Sequence, residues 1–301
     1  MNPINGISKV LYRPICRAYA RHLGDMPADA LLRFLCSPQF WMVNRFWPNF
    51  LQPHRFSEKV WSLQLHSRDS KLTMISDKFW VRDYVAEKVG GEYLVPLLWN
   101  GDKPEEIPFD ELPLKFVIKM NHGCGYNIIV KDKNQLDREK AKQQLKKWIS
   151  TNFGNDTFLG IAWGYRNIKP HIAIESFLEE NENVPVDYKF WCFSGRVECI
   201  SLHFDRFESH ATLGFNRNFE PGGLQFDLPL YTGEFKRPSN YKEMVRVAET
   251  LAEGFDFMRV DLYNVGGMIY FSELTPYPGG VTTKFEPESM DYLLGEKWKR
   301  K

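Results

Sequence analysis

The sequence predicts an α+β protein. Three observations point there. Helix-period and strand-period segments follow one another without a regular strand–helix–strand rhythm. From His171 onward the strands come in succession, as hairpins do. Two of these hairpins carry obvious turn residues, Ser194-Gly195 and Gly266-Gly267. The 301 residues, 43% hydrophobic and 15% aromatic, suffice for one large domain or a few small lobes around a substantial core.

The elements can be justified in order. In residues 1–56, Lys9, Arg13, Arg17, Arg21 and Arg33 are interleaved with Val10, Leu11, Ile15, Tyr19, Leu31, Leu32 and Phe34. An aromatic patch follows at Phe40, Trp41, Phe46, Trp47 and Phe50. The pattern reads first as a helical layer packed on the main body, with docking to a membrane surface or a partner as the alternative. Helices are predicted over 57–65 and 76–89, the second with Ser76 as N-cap and Gly90-Gly91 as its stop. Strands follow at 93–99 and 115–120, with 127–130 as the hairpin partner of the latter. A charged helix over 137–153 carries Leu145, Trp148 and Ile149. Strands at 172–177, 188–193 and 197–203, a helix over 239–253, a hairpin over 257–276 and a last helix over 288–294 complete the chain.

Composition excludes several classes. The formal net charge of +1 lacks the basic excess of a nucleic-acid binder. Cys16, Cys36, Cys124, Cys192 and Cys199 are odd in number and form no CxxC pair, so neither a disulfide framework nor a zinc site is expected. That usage fits a reducing compartment. No apolar run approaches a membrane span, and the first residues do not read as a secretory signal. A cytoplasmic protein is expected, at most peripheral at the inner face of the membrane.

Chemistry concentrates in the C-terminal hairpin. Phe257-Met258-Arg259-Val260-Asp261 and Phe271-Ser272-Glu273-Leu274-Thr275 flank the glycine turn, so pairing would bring Asp261 and Glu273 together. Paired carboxylates repel unless a cation joins them. Hard oxygen ligands of this kind suit Mg²⁺, and Arg259, on the same strand face as Asp261, would meet a phosphate. Alternatively the pair belongs to an ordinary hairpin salt bridge. Upstream, Lys119 ends a strand and precedes a loop containing Gly123 and Gly125. Glycines let backbone N–H groups approach phosphate oxygens, and the lysine adds a point charge. Glu175 ends the strand over 172–177, and Asp187 and Lys189 share a strand face, an arrangement fit for a nucleotide clamp or for a cross-strand ion pair. Between His203 and His210 the spacing of His203, Asp205, Glu208 and His210 matches no metal-ligand pattern, and Arg206 is the better anion contact there. Cys124 lacks the partner arrangement of a nucleophilic thiol.

The order of these features resembles the ATP-grasp superfamily and, within it, the TupA-like branch of teichuronopeptide biosynthesis. The carriers are Phe56-Ser57-Glu58-Lys59, Asp77-Lys78, Phe116-Val117-Ile118-Lys119, Asp187-Tyr188-Lys189, Arg259-Val260-Asp261 and Tyr270-Phe271-Ser272-Glu273-Leu274-Thr275. They span residues 56–298. The resemblance implies an ATP-grasp fold, with the nucleotide held between two α+β lobes and an extra helical N-terminal segment. Its parts would be 1–56 (helical extension), 57–114 (N-terminal part), 115–180 (lid-like lobe with the glycine loop) and 181–301 (C-terminal lobe with the metal site). It implies ATP and Mg²⁺ as cofactors. Lys78, Lys119 and the loop with Gly123 and Gly125 would hold the phosphates, and Glu175 the adenine. Asp187 would hold ribose or orient Lys189. Lys189, Arg206 and Arg259 would face the γ-phosphate and an acyl phosphate, and Asp261 and Glu273 would hold the metal. Thr275 departs from the asparagine that many members carry there, which weakens one metal site.

The implied activity is an ADP-forming carboxylate–amine ligase working through an acylphosphate on a small-molecule or saccharide carboxylate. The implied setting is cell-surface polysaccharide synthesis, with an amino acid joined to a uronic-acid carboxyl. A sugar or alcohol kinase, a glycosyltransferase of such a pathway and a non-catalytic assembly protein stay open.

Overall fold

The computed structural model describes residues 12–156, 158–180, 183–204, 210–222, 224, 228–279, 285 and 287–299. It opens with two helices, α1 (Arg13–Leu23) and α2 (Ala30–Asn44). Asp29 caps α2 by accepting from the Leu32 N–H at 2.8 Å. Cys16, Ala20, Leu32, Cys36 and Phe40 pack against Phe50, Trp61 and Leu65 in a separate small core. Phe40 sits edge-on to Phe46, Phe50 and Trp61, the geometry favoured by the ring quadrupole.

Next come α3 (Phe56–His66), α4 (Ser70–Ser76) and α5 (Val81–Lys88). The helix expected over 76–89 thus starts only at Val81, after a break at residues 77–80, and Ser76 closes α4, a helix not expected from sequence, instead of capping one. The break is made by Asp77. Its carboxylate accepts from the Phe79 and Trp80 N–H groups at 3.0 Å each and from Asn121 Nδ2. A side chain that competes for local backbone donors ends a helix.

Four strands, β1 (Leu97–Gly101), β2 (Phe116–Met120), β3 (Asn127–Val130) and β4 (Ile172–Ser176), form an antiparallel sheet in the order β1-β4-β2-β3. The strand expected over 93–99 begins only at Leu97, because residues 91–93 wind into a 3₁₀ turn. Between β3 and β4 run α6 (Arg138–Ile149) and two single-turn helices, α7 (Phe153–Asp156) and α8 (Trp163–Arg166). Phe116, Ile118, Met120, Ile172 and Ile174 meet Leu145 of α6 on one face of this sheet. The period-2 alternation therefore turns Lys119 and Glu175 to the other face.

The second sheet holds β5 (Asp187–Phe193), β6 (Arg196–Phe204), β7 (Ala211–Asn216), β8 (Phe257–Val265) and β9 (Met268–Thr275) in the order β7-β6-β5-β8-β9, again antiparallel. Ser194-Gly195 and Gly266-Gly267 close two-residue turns with positive φ at both positions, the turn whose twist matches paired strands. Strand β7 follows the polar cluster of His203 to His210, in a stretch where no element was expected. Helix α9 (Tyr241–Leu251) packs on the face carrying Phe190 and Cys192, with Phe190 stacked on Tyr241. The opposite face carries Asp187, Lys189 and Trp191.

The last helix, α10 (Ser289–Lys297), returns to α3. Phe56 is 1% exposed and touches the rings of Trp191, Phe193, Phe257, Phe285 and Trp298. Its neighbours secure the joint. Ser57 donates from N and Oγ to the Asp291 carboxylate at 2.8 and 2.6 Å. Lys59 Nζ caps the carbonyls of Gly295 and Trp298 at 2.7 and 2.6 Å. Glu58 accepts the N–H groups of Asn49, His54 and Arg55. The Phe56-Ser57-Glu58-Lys59 motif is therefore architectural, since each of its side chains fixes another segment to α3.

Candidate functional site

Register assembles the site. In the second sheet Lys189 lies opposite Asp261, and Asp261 opposite Glu273; one pair along, Trp191 lies opposite Arg259, and Arg259 opposite Thr275. Side chains at these positions share one face, so two rows of polar groups cross β5, β8 and β9. Lys189 Nζ contacts Asp187 Oδ2 at 2.6 Å and Asp261 Oδ2 at 2.5 Å, and all three side chains are buried. Arg259 grips Asp261 through Nε and Nη2, each at 2.7 Å, and reaches Glu273 Oε1 at 2.9 Å. Thr275 Oγ1 accepts from Arg259 at 3.1 Å and donates to Glu273 Oε1 at 3.0 Å. Burial raises the Asp261 pKa, while Arg259 and Lys189 oppose the shift. With both cations in direct contact, the carboxylate is held ionised. For Arg259 burial also disfavours the charge, but Asp261 and Glu273 outweigh it and its pKa is raised.

The first sheet contributes a second cluster. Lys119 pairs with Ala173 and Val117 with Glu175, which makes Lys119 and Glu175 diagonal neighbours on one face. Lys119 Nζ meets Glu175 Oε2 at 2.6 Å, and Arg82 of α5 meets Oε1 at 2.7 Å. The glycine loop follows β2. Gly125 adopts φ +73°, and a Cβ on Gly123 would lie 2.7 Å from the Tyr126 ring. Tyr126 is stacked on Trp148 and edge-on to Phe153, which anchors the end of the loop.

Lys78 links the clusters. It sits in the turn between α4 and α5, with Nζ 3.6 Å from Glu273 Oε2. Its own N–H donates to the Asn121 carbonyl at 3.1 Å. Asn121, at the end of β2, holds the Asp77 carboxylate through Nδ2, donates to the Lys169 carbonyl at 2.9 Å and accepts the His171 N–H at 2.7 Å. Burial pushes the Asp77 pKa up, and the Trp80 N–H and Asn121 pull it back. This buried joint fixes the backbone of Lys78 to that of Lys119.

Between the sheets lies a cavity of about 270 Å³. Lys78, Arg82, Lys119, Gly125 and Glu175 line it from one side, and Tyr263, Phe271, Ser272 and Glu273 from the other. Among the residues singled out from sequence, Lys78, Lys119, Gly125, Glu175 and Glu273 thus share one space. Gly123 shapes the loop beside it. Asp187, Lys189, Arg259 and Asp261 form the buried layer joined to Glu273. Arg206 falls outside the described residues. His203 and His210 sit apart from this cavity's lining, with ring nitrogens 2.9 Å apart. Sequence reasoning missed Arg82 and Asn121. Arg82 follows Lys78 by four residues, roughly one helical turn, and that spacing was the available signal. Nothing in the sequence marked Asn121 as the tie to Asp77.

A cleft between two antiparallel sheets, walled by lysines from separate segments and backed by a carboxylate hairpin, is the layout of an ATP-grasp protein. The sequence pattern of the TupA-like ATP-grasp family matches residues 58–299, and the chain belongs to that family. No curated protein matches the chain.

Among solved structures, the chain is similar to a D-alanine–D-alanine ligase from Bacillus anthracis complexed with ATP (16% identity, 69% of this chain and 56% of that one, TM-score 0.41). It is also similar to the ATP-grasp ligase PsnB complexed with a phosphomimetic variant of minimal precursor, Mg and ADP (10%, 76% and 60%, 0.41). A third is the ADP complex of purK, N5-carboxyaminoimidazole ribonucleotide synthetase (12%, 69% and 46%, 0.44). The similarity spans about half to three fifths of these enzymes' own length.

Proposed function

We propose that the protein is an ATP- and Mg²⁺-dependent carboxylate–amine ligase that acts through an acylphosphate. We further propose a setting in cell-surface polysaccharide or teichuronopeptide synthesis, with an amino acid joined to a uronic-acid carboxyl. Family membership supports the reading. The single observation that carries it is that Lys119 and Glu273, from different sheets, face the same cavity with Lys78 between them.

The ion pairs define how the cavity would receive a polyanion. Lys78 and Lys119 retain 24% and 29% side-chain exposure, so a triphosphate reaches both without unfolding anything. On binding, the phosphates replace Glu175 and Glu273 as lysine partners. That exchange releases Glu175 for a ligand donor such as an adenine amino group. Arg82 stays on Glu175 and holds its carboxylate in place. Beneath this layer Lys189 and Arg259 hold positive charge where a γ-phosphate and an acyl phosphate would develop negative charge. Fixed cations of this kind lower the barrier without reorganisation.

The donor set at the hairpin suits Mg²⁺ in kind. Of Asp261 and Glu273, only Glu273 lines the cavity; Asp261, held by Arg259 and Lys189, would have to exchange one of those cations for the metal. Asp261 and Glu273 are cross-strand carboxylates, hard oxygen ligands. Among the described residues no group of three or more His, Cys, Asp or Glu could hold a metal ion. An ion completed by phosphate oxygens and water matches that count. Bound there, Mg²⁺ would neutralise phosphate charge. Thr275, in this structure, serves to orient Arg259 and Glu273.

The test is product analysis with ATP, Mg²⁺, uronic acids and amino acids. ADP should appear only when carboxylate and amine are both present, and the product should be an amide. Glu273→Gln should lower the rate by about a hundredfold or more, the scale for losing one charge-stabilising group. A phosphorylated sugar formed without amine would make the protein a kinase. Full activity in Glu273→Gln would remove the metal assignment.

A further inference from the structure

Helix α2 has two apolar sides. Leu32, Cys36, Gln39 and Phe40 face the small core. At 100° per residue, Leu31, Phe34, Pro38, Trp41 and Arg45 fall in a sector of about 80° on the opposite side. That outer side is bare: Phe34 is 72% exposed and Leu31 47%. Trp47, 65% exposed, stacks on Trp41 at 6.3 Å, and the Arg45 guanidinium lies 5.8 Å from the Trp41 ring centre. The stripe is thus a continuous ledge of large apolar groups with a cation at its edge.

Charge decides what covers it. From Ala30 through Ser57 the chain carries Arg33, Arg45 and Arg55 and no carboxylate. Residues 1–56 hold seven lysines and arginines against Asp25 and Asp29, an excess of five positive charges. The whole chain totals only +1, so the remainder is formally −4. A second copy of this chain docking face to face would offer the same positive surface and repel. An anionic bilayer offers the opposite charge, together with an apolar layer for Phe34 and Leu31. Its interface is where tryptophan and arginine reside best.

We infer that α2 and the Trp47 segment form a docking face for an anionic lipid bilayer. The helix lies flat, with its inner side kept in the protein core and its outer side in the headgroup region. Among the described residues no helix is long and apolar enough to cross a membrane, so the contact is peripheral.

Flotation of the full chain with vesicles tests this. It should bind vesicles containing phosphatidylglycerol, bind pure phosphatidylcholine vesicles far less, and be released by salt. The double substitution Phe34→Glu with Trp41→Glu should weaken binding by about tenfold or more, with an unchanged urea midpoint because both positions are exposed. Quenching of native tryptophan fluorescence by bromine-labelled lipid should accompany binding and needs no variant. Failure of the native chain to bind phosphatidylglycerol vesicles overturns the inference. So does binding that survives the double substitution, or a dimer of the native chain that the substitution dissociates.

Discussion

Asn121 offers the sharpest test of how the two lysine-bearing segments are held. The Asn121→Ala substitution removes four hydrogen bonds at one stroke: two to Asp77, one to the Lys169 carbonyl and one from the His171 N–H. Asn121 is 1% exposed and Asp77 6%, so water does not readily enter on that side, whereas Lys169 is exposed and His171 half-buried. Asp77 keeps the Phe79 and Trp80 N–H groups. The Lys169 carbonyl and the His171 N–H lose the Asn121 side chain. At about 1–3 kcal/mol for a stranded buried group, and less where water reaches it, the expected loss is about 2–3 kcal/mol. Urea denaturation at neutral pH measures it. The Lys78 N–H keeps the backbone carbonyl of residue 121, so ATP binding by calorimetry should weaken through the neighbouring Asp77, whose carboxylate loses the Asn121 amide. A loss below about 1 kcal/mol with unchanged nucleotide affinity would show that the joint carries no energy and that the lysines are placed by the rest of the fold.

Further outcomes follow from the same contacts. Phe56→Ala empties the centre of a five-ring cluster and should cost about 3–5 kcal/mol in urea denaturation. Gly295→Ala would place a Cβ 2.1 Å from the His54 carbonyl oxygen, so α10 must shift and thermal denaturation should show a lowered midpoint. His122 is buried with Nε2 2.9 Å from the Trp148 carbonyl, and burial lowers its pKa. A base with a depressed folded pKa stabilises above its unfolded pKa of about 6.5, and that contribution is lost as pH falls through the folded value. Urea midpoints should therefore drop below about pH 6.5, and His122→Leu should flatten that slope.

The C-terminal hairpin was legible because its information is local. Gly266-Gly267 dictates the turn and pairs the strands as far as Leu262 with Phe271, and a bulge between Asp261 and Leu262 then shifts the register by one, so that Asp261 faces Glu273 and not Ser272. Lys119 and its glycine loop were legible for the same reason. The break at residues 77–80 was not, since Asp77 makes it by capping the Phe79 and Trp80 N–H groups, and the Asn121 side chain that holds its carboxylate in place lies 44 positions away. Strand β7 was hidden because its sequence, Ala211-Thr212-Leu213-Gly214-Phe215-Asn216, is a weak strand former that borrows order from β6. Arg82 could be read only as one of many helix-surface cations until β4 brought Glu175 to it. The Phe56-Ser57-Glu58-Lys59 motif was visible as a pattern, but its meaning lies in partners near the other end of the chain.

That motif has a consequence during synthesis. Ser57 reaches Asp291 across 234 residues. At about 5–20 residues per second, a ribosome takes roughly 10–50 s to deliver the partner after the serine emerges. Throughout that interval Phe56 lacks Phe257, Phe285 and Trp298, and Lys59 has no carbonyls to cap. The nascent chain must therefore wait with α3 unlatched, and a chaperone that shields an aromatic ledge early in translation would raise the yield of folded protein.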